Sequence, residues 1–216
     1  MTTLIQRFNK IKSNIDLLNS SKSVDIIAVS KTFPLIDIQP LIDHGHIHFG
    51  ENKVQEAVVK WSAIKNQKPE IKLHMVGKLQ SNKAKDAVKL FDYIHSLDNQ
   101  KLADVLAKSQ KNENKYLKYF IQVNIGNELQ KSGIPVNDLD GFYNYCIKEK
   151  KLNIIGLMAL PPNNDNSKKY FKALDDLRKA LALKDLSMGM SSDYLEAVKL
   201  NATYVRIGSS IFGPRS

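Results

Sequence analysis

The chain has 216 residues, 43% of them hydrophobic and 25% charged, with a formal net charge of +10. This length suits one barrel-sized domain or two small ones, and a single cysteine, Cys146, excludes an internal disulfide framework and cysteine-rich zinc modules. No apolar run reaches the roughly eighteen residues of a membrane span, and the first residues lack a signal peptide's charged start and apolar core, so the expected location is the reducing cytoplasm.

The chain opens with apolar residues at Leu4, Ile5, Phe8, Ile11, Ile15 and Leu18. That spacing predicts an amphipathic helix over 3–19. The β-branched run at 24–31, closed by Pro34, predicts a strand. Strand and helix then alternate: a strand over 46–51 and a helix over 53–65, then a strand over 71–77 and a helix over 82–90 with Ser81 as its cap. A strand over 93–97 precedes a helix over 99–112. A strand over 118–125 leads through Gly126 and Gly133 to a helix over 138–148. A strand over 153–160 stops at Pro161, and a helix over 167–183 follows. Short strands at 185–190 and 203–208 flank a helix over 192–200, and 209–213 reads as a terminal turn.

Eight strands alternating with helices predict a parallel sheet with helices outside. Near-continuous apolar strands such as Ile26–Val29 are those of a sheet buried on both faces. Within about 190 residues the expected fold is α/β, a compact (β/α)8 barrel of the TIM type with an extra N-terminal helix, forming one domain over residues 1–216. An open doubly wound sheet is the alternative. It calls for a Gly-rich fingerprint after the first strand, and Val29-Ser30-Lys31-Thr32-Phe33-Pro34 is not one.

Barrel chemistry lives where strands end, toward the C-terminal face. The predicted ends carry Lys31, Asn52, His74, Asn124, Met158, Ser191 and Arg206, a more polar set than packing alone selects. Lys31 closes an apolar strand, so its amine is placed at the barrel mouth. Partial desolvation there favours the neutral amine that attacks aldehydes. The segments Ser187–Asp193 and Arg206–Gly213 each pair Gly and Ser with a helix start, which is an anion site. They fall in units seven and eight, where barrels hold phosphate. Strand alternation puts Arg206 and Gly208 on one side. A lysine aldehyde trap, a phosphate cup and an inward Arg describe a pyridoxal 5′-phosphate site. An Arg at the pyridine nitrogen weakens the ring as an electron sink, which suits a racemase-like or carrier role.

The segments Ala28-Val29-Ser30-Lys31-Thr32, Phe49-Gly50-Glu51-Asn52, His74-Met75-Val76-Gly77, Gly156-Leu157-Met158, Leu186-Ser187-Met188-Gly189-Met190-Ser191 and Val205-Arg206-Ile207-Gly208 carry a resemblance. In this order they resemble the pyridoxal phosphate homeostasis protein family, related to the barrel domain of alanine racemase. The resemblance implies a Schiff base at Lys31, a phosphate cup from Ser191, Gly208 and Ser209, and Arg206 facing the ring nitrogen. It implies that Asn52, His74, Met158 and Met190 line the ring. Ser209 stands where the family pattern has Thr. It further implies a carrier and buffer of the cofactor, without a settled reaction, that serves pyridoxal-phosphate-dependent apoenzymes. The chain ends just after the eighth unit, without the β-domain of alanine racemases, so a monomer is expected. The alternative is an amino-acid racemase or decarboxylase on the same site.

Of the 32 basic residues only four are Arg, namely Arg7, Arg178, Arg206 and Arg215. No basic run exceeds two residues. Scattered lysine is a solvated coat rather than a nucleic-acid face, which favours Arg for planar recognition, so no nucleic-acid partner is expected. Lys78, Lys83 and Lys85 are read as a solvated helix face, with a basic patch near the mouth that steers phosphorylated vitamers as the alternative. His44, His46 and His48 alternate with one nearby carboxylate, Asp43, and are read as structural or solvent-facing rather than as metal ligands. His95 alternates with Leu97 and is read as barrel packing. Cys146 is read as a small buried hydrophobe.

Overall fold

A computed structural model describes residues 3–18, 23–128, 130–162 and 166–214. The end of the first predicted helix at residue 19 and Arg215 lie outside the described residues. Eight parallel strands close into a barrel in chain order. They are β1 Asp25–Val29, β2 His48–Glu51, β3 Lys72–Met75, β4 Tyr93–Leu97, β5 Lys118–Gln122, β6 Asn153–Met158, β7 Asp185–Ser187 and β8 Tyr204–Ile207. Most of the predicted strands run past these C-terminal bounds, because the residues that follow leave the ladder to build the barrel mouth.

The helices are α1 Leu4–Leu18, α2 Leu35–Asp43, α3 Val54–Gln67, α4 Ala84–Leu90, α5 Gln100–Asn112, α6 Leu139–Asn144, α7 Ser167–Ala180, α8 Tyr194–Lys199 and α9 Ser209–Phe212. The sequence reading names no helix over α2, which carries Pro40 inside it. Proline removes one amide donor from a helix, but Ile38, Leu41 and Ile42 are buried along this one, and burial of that face outweighs the lost bond. Ser81 does not cap α4. Ser81–Lys83 form a 3₁₀ turn that feeds into it, and Gln80 precedes that turn. The Asn99 side chain accepts from the Leu102 amide at 2.9 Å and caps α5. Beyond α6 the chain continues as a π-helical turn over Tyr145–Glu149, with Cys146 fully buried and its thiol pushed up to about 12 by burial. Helix α1 buries Phe8, Ile11 and Ile15 and lies over α8 and α9.

Apolar packing divides into two clusters. The larger fills the space between barrel wall and helices. The smaller, with Ile27, Val29, Tyr93, Phe120, Met158 and Tyr204, fills the barrel interior. Successive strand side chains face opposite ways. Asp25, Ile27 and Val29 therefore climb the interior from floor to mouth, as do Tyr204 and Arg206. A register shift between Ile94 and Leu97 breaks this alternation in β4. His95 stacks on Phe120 inside the barrel, with centroids 4.3 Å apart, whereas Leu97 packs in the outer cluster. The two do not share a face, contrary to the alternation read from the sequence.

Candidate cofactor site at the barrel mouth

A cavity of about 680 Å³ opens at the C-terminal ends of the strands. Lys31, Asn52, Met190, Ser191, Arg206, Gly208 and Ser209 line it. His74 and Met158, read from the sequence as ring contacts, are fully buried in the barrel interior and are not among the lining residues. Sequence reasoning did not assign Phe33, Gln122, Lys131 and Ser132 to the wall, and it read Lys78 as part of a solvated helix face. The cations Lys31, Lys78, Lys131 and Arg206 face this space, and among the described residues no Asp or Glu lines it. The electrostatics are those of an anion site.

Lys31 follows β1 in a turn whose shape is held from behind. The Ser30 amide donates to the Gly50 carbonyl at 2.9 Å, and the Ser30 hydroxyl donates to Glu51 Oε1 at 2.8 Å. The same carboxylate oxygen accepts from Lys60 Nζ at 2.8 Å and from Trp61 Nε1 at 3.0 Å. Lys60 also donates to the Ser30 carbonyl at 2.9 Å. Thr32, next to Lys31, has φ +70°, a left-handed conformation that costs a β-branched residue about 1–3 kcal/mol. Phe33 then stacks on Phe212 of α9 with centroids 5.0 Å apart, tying the Lys31 turn to the neighbouring wall beyond β8.

That wall is built from the β7 and β8 ends. The Arg206 amide donates to the Gly189 carbonyl at 2.9 Å. Gly189 has φ +89°, and a Cβ there would stand 2.6 Å from the Ala197 Cβ, so only glycine fits. The Ser191 hydroxyl accepts from the Ser210 amide at 3.3 Å. The first amides of α9 have no carbonyl one turn earlier to receive them. They stand beside the Ser191 hydroxyl and next to Gly208. On the far side Gly77 lies against Asn52, where an added Cβ would stand 2.7 Å from Asn52 Cα. Among the described residues no donor reaches the buried Asn52 Oδ1, which leaves an acceptor for a ligand hydroxyl.

Arg206 is 5% exposed, and burial lowers its guanidinium to about 10, so it stays charged at neutral pH. It donates to Ser187 Oγ at 2.6 Å and to the Ala159 carbonyl at 2.9 Å. No group of three or more His, Cys, Asp or Glu among the described residues is arranged to hold a metal ion. No helix among them is long and apolar enough to cross a membrane.

Residues 7–216 match the alanine racemase N-terminal domain family. The chain is 36% identical over 199 residues to the pyridoxal phosphate homeostasis protein of Aquifex aeolicus, covering 88% of this chain and 86% of that protein. It is 35% identical over 205 residues to the protein of that name from Escherichia coli, covering 91% and 88%. The solved structure of PipY of Synechococcus elongatus with PLP bound superposes with TM-score 0.85 at 34% identity, over 98% of this chain and all of that one. An alanine racemase of Clostridium difficile shares the fold at 11% identity and TM-score 0.73, over 97% of this chain and 56% of that one. The chain therefore belongs to the pyridoxal phosphate homeostasis protein family, whose barrel is that of the alanine racemase N-terminal domain.

Proposed function

We propose that the mouth cavity binds pyridoxal 5′-phosphate and that the protein carries and buffers this cofactor. The observation that carries the reading is the convergence of Lys31, Arg206 and the Ser191–Gly208–Ser209 wall on one cavity lined by cations and, among the described residues, by no carboxylate. Further support comes from the full-length kinship to pyridoxal phosphate homeostasis proteins and from PipY, a relative solved with PLP. When bound, the cofactor supplies an aldehyde that condenses reversibly with an amine. Lys31 is the amine held at the cavity wall by the Ser30–Glu51–Lys60 contacts. Ser191, Gly208 and Ser209 hold the phosphate through a hydroxyl and the first amides of α9. Arg206 can only donate, so at the ring nitrogen it keeps that atom an acceptor and denies it a proton. Asn52 Oδ1 accepts from the ring hydroxyl, and Met190 covers the ring.

A ring nitrogen without its proton is a weak electron sink, and this favours carriage over amino-acid chemistry. We read the protein as a single domain over residues 1–216, monomeric and cytoplasmic, that hands its cofactor to pyridoxal-phosphate-dependent apoenzymes. Incubated with the cofactor and desalted, the wild-type protein is expected to be yellow, and Lys31→Ala is expected to lose that absorbance. A colourless wild type overturns the reading. The competing reading, an amino-acid racemase or decarboxylase on the same cavity, requires exchange of a substrate's α-proton or loss of its carboxylate above the rate given by free cofactor.

A further inference from the structure

Beneath the cavity floor a row of polar side chains crosses the barrel interior. Arg206 Nη1 stands 2.6 Å from Ser187 Oγ. Ser187 Oγ stands 2.8 Å from His95 Nδ1. His95 Nε2 lies 2.9 Å from His74 Nδ1, and His74 Nε2 lies 2.9 Å from His48 Nδ1. At the floor His48 Nε2 faces Asp25 Oδ1 at 3.8 Å. Ser187, His74 and His95 are fully buried. Aromatic rings flank the row: His74 stacks on Tyr93 with centroids 4.2 Å apart, and His95 stacks on Phe120 at 4.3 Å.

Hydrogen-bond valence fixes the direction of this row. A guanidinium has no acceptor, so Arg206 donates and Ser187 accepts. The Ser187 hydroxyl proton then has His95 Nδ1 as its partner. A neutral His95 that accepts at Nδ1 carries its proton on Nε2 and donates to His74 Nδ1. The same step repeats from His74 to His48. His48 then presents its Nε2–H to the Asp25 carboxylate. The opposite direction fails at both ends. Ser187 would then accept from both Arg206 and His95 while its own proton lost its partner in a buried site, and a bare His48 lone pair would point at a carboxylate.

The electrostatics agree with this direction. Among the described residues no carboxylate forms an ion pair with Arg206; Asp193 supports its charge from beyond that distance, and a buried cation so lightly compensated is costly. In the stated direction every ring turns its lone pair toward Arg206 and its N–H toward Asp25. Burial, the largest cause in each case, holds His48, His74 and His95 below the usual imidazole range and so in the neutral form the relay needs. Around His48, the Asp25 and Asp92 carboxylates oppose that shift, Lys72 and Lys118 reinforce it, and the Tyr93 and Tyr204 rings close the site.

We propose that Ser187, His95, His74 and His48 form a hydrogen-bond relay of one fixed direction that joins Asp25 at the barrel floor to Arg206 at the mouth and holds Arg206 as a charged donor toward the cavity. The three histidines and Ser187 are positioning residues that act through Arg206. The effect on a ligand rests on the reading of the cavity as a pyridoxal 5′-phosphate site; the direction of the relay does not.

The test is nitrogen NMR of histidine-labelled full-length protein without cofactor, in wild type, His95→Gln and His95→Leu. In wild type, His48, His74 and His95 are expected to be neutral at pH 7.5 with the proton on Nε2. A glutamine amide can accept from Ser187 and donate to His74, so His95→Gln is expected to keep the Nε2–H form at His74 and His48. His95→Leu is expected to lose it at His74. With pyridoxal 5′-phosphate added, His95→Leu is expected to weaken binding about tenfold, the scale of a lost orienting contact, and His95→Gln to restore most of it. An Nδ1–H form at wild-type His74 or His95, or equal weakening in both variants, overturns the relay. A protein that binds no cofactor yet shows the Nε2–H pattern overturns the functional reading and leaves the relay standing.

Discussion

Arg206 divides the barrel interior into two regions. Above it, the Lys31, Asn52 and Ser191 side chains face a cavity, Asn52 Oδ1 has no protein donor among the described residues, and Thr32 holds a strained turn. Below it, His95, His74 and His48 satisfy one another and Ser187 across the full depth of the barrel. At the mouth the Asn52 acceptor is left for a ligand, whereas the side chains of the row below are matched to each other. The comparison implies that changes below move stability first, and changes at the mouth move binding first.

Acid tests the lower region most severely. The buried His74 and His95 have folded-state values well below 6.5, so the unfolded chain takes up protons that the folded protein refuses. Their contribution is complete above pH 6.5 and is lost as pH falls from 6.5 toward the folded values. Each costs about 1.4 kcal/mol per pH unit in that window, so the pair costs roughly 3. His46, lowered to about 4, acts in the same direction. Chemical denaturation followed between pH 8 and pH 5 is expected to show this steep loss; a flat profile would mean that these rings charge freely in the fold.

Glu51→Ala probes the boundary between the regions. It strips the half-buried Lys60 of its carboxylate, leaves the Ser30 hydroxyl and Trp61 indole without their acceptor, and is expected to cost about 3 kcal/mol in denaturant unfolding. Lys31→Ala reverses the balance: cofactor absorbance is lost while stability changes by less than about 1 kcal/mol. Ser191→Ala removes the hydroxyl proposed to hold the phosphate and is expected to weaken cofactor binding roughly tenfold, measured by titration, with little change in unfolding. The smallest effect belongs to Thr32→Gly, which relieves the left-handed strain but frees the unfolded chain, for a net gain of no more than about 1 kcal/mol.

Much of the mouth was readable from residue order. Lys31 ends an apolar strand, Arg206 and Gly208 are two apart on one strand, and Gly189 and Ser191 precede a helix. Each is a local pattern, and period-two alternation carries it to a face. The lower region was not readable in the same way. His48, His74, His95 and Ser187 come from four strands, and nothing near any one of them in the chain names the others. His95 was set beside Leu97 by an alternation that the β4 register shift breaks. His74 and Met158 lie buried in the interior below the cavity lining, a depth the sequence did not give, because alternation settles which way a side chain faces but not how deep it lies. Helix α2 has no counterpart in the sequence reading; Pro40 lies inside it, and only the burial of its apolar face reveals why the helix persists.

The sequence by itself determined the alternating elements, the barrel they imply, and the lysine and arginine at its mouth, because these follow from local periodicity and from the chemistry of single side chains. Only the tertiary structure decided which polar groups meet inside the barrel and in which direction their protons run. Strand register and sheet closure bring residues as far apart in sequence as His48 and Ser187 into one hydrogen-bonded row that runs to Arg206 and faces the Asp25 carboxylate 3.8 Å beyond His48, and hydrogen-bond valence in a buried interior then favours a single direction along it.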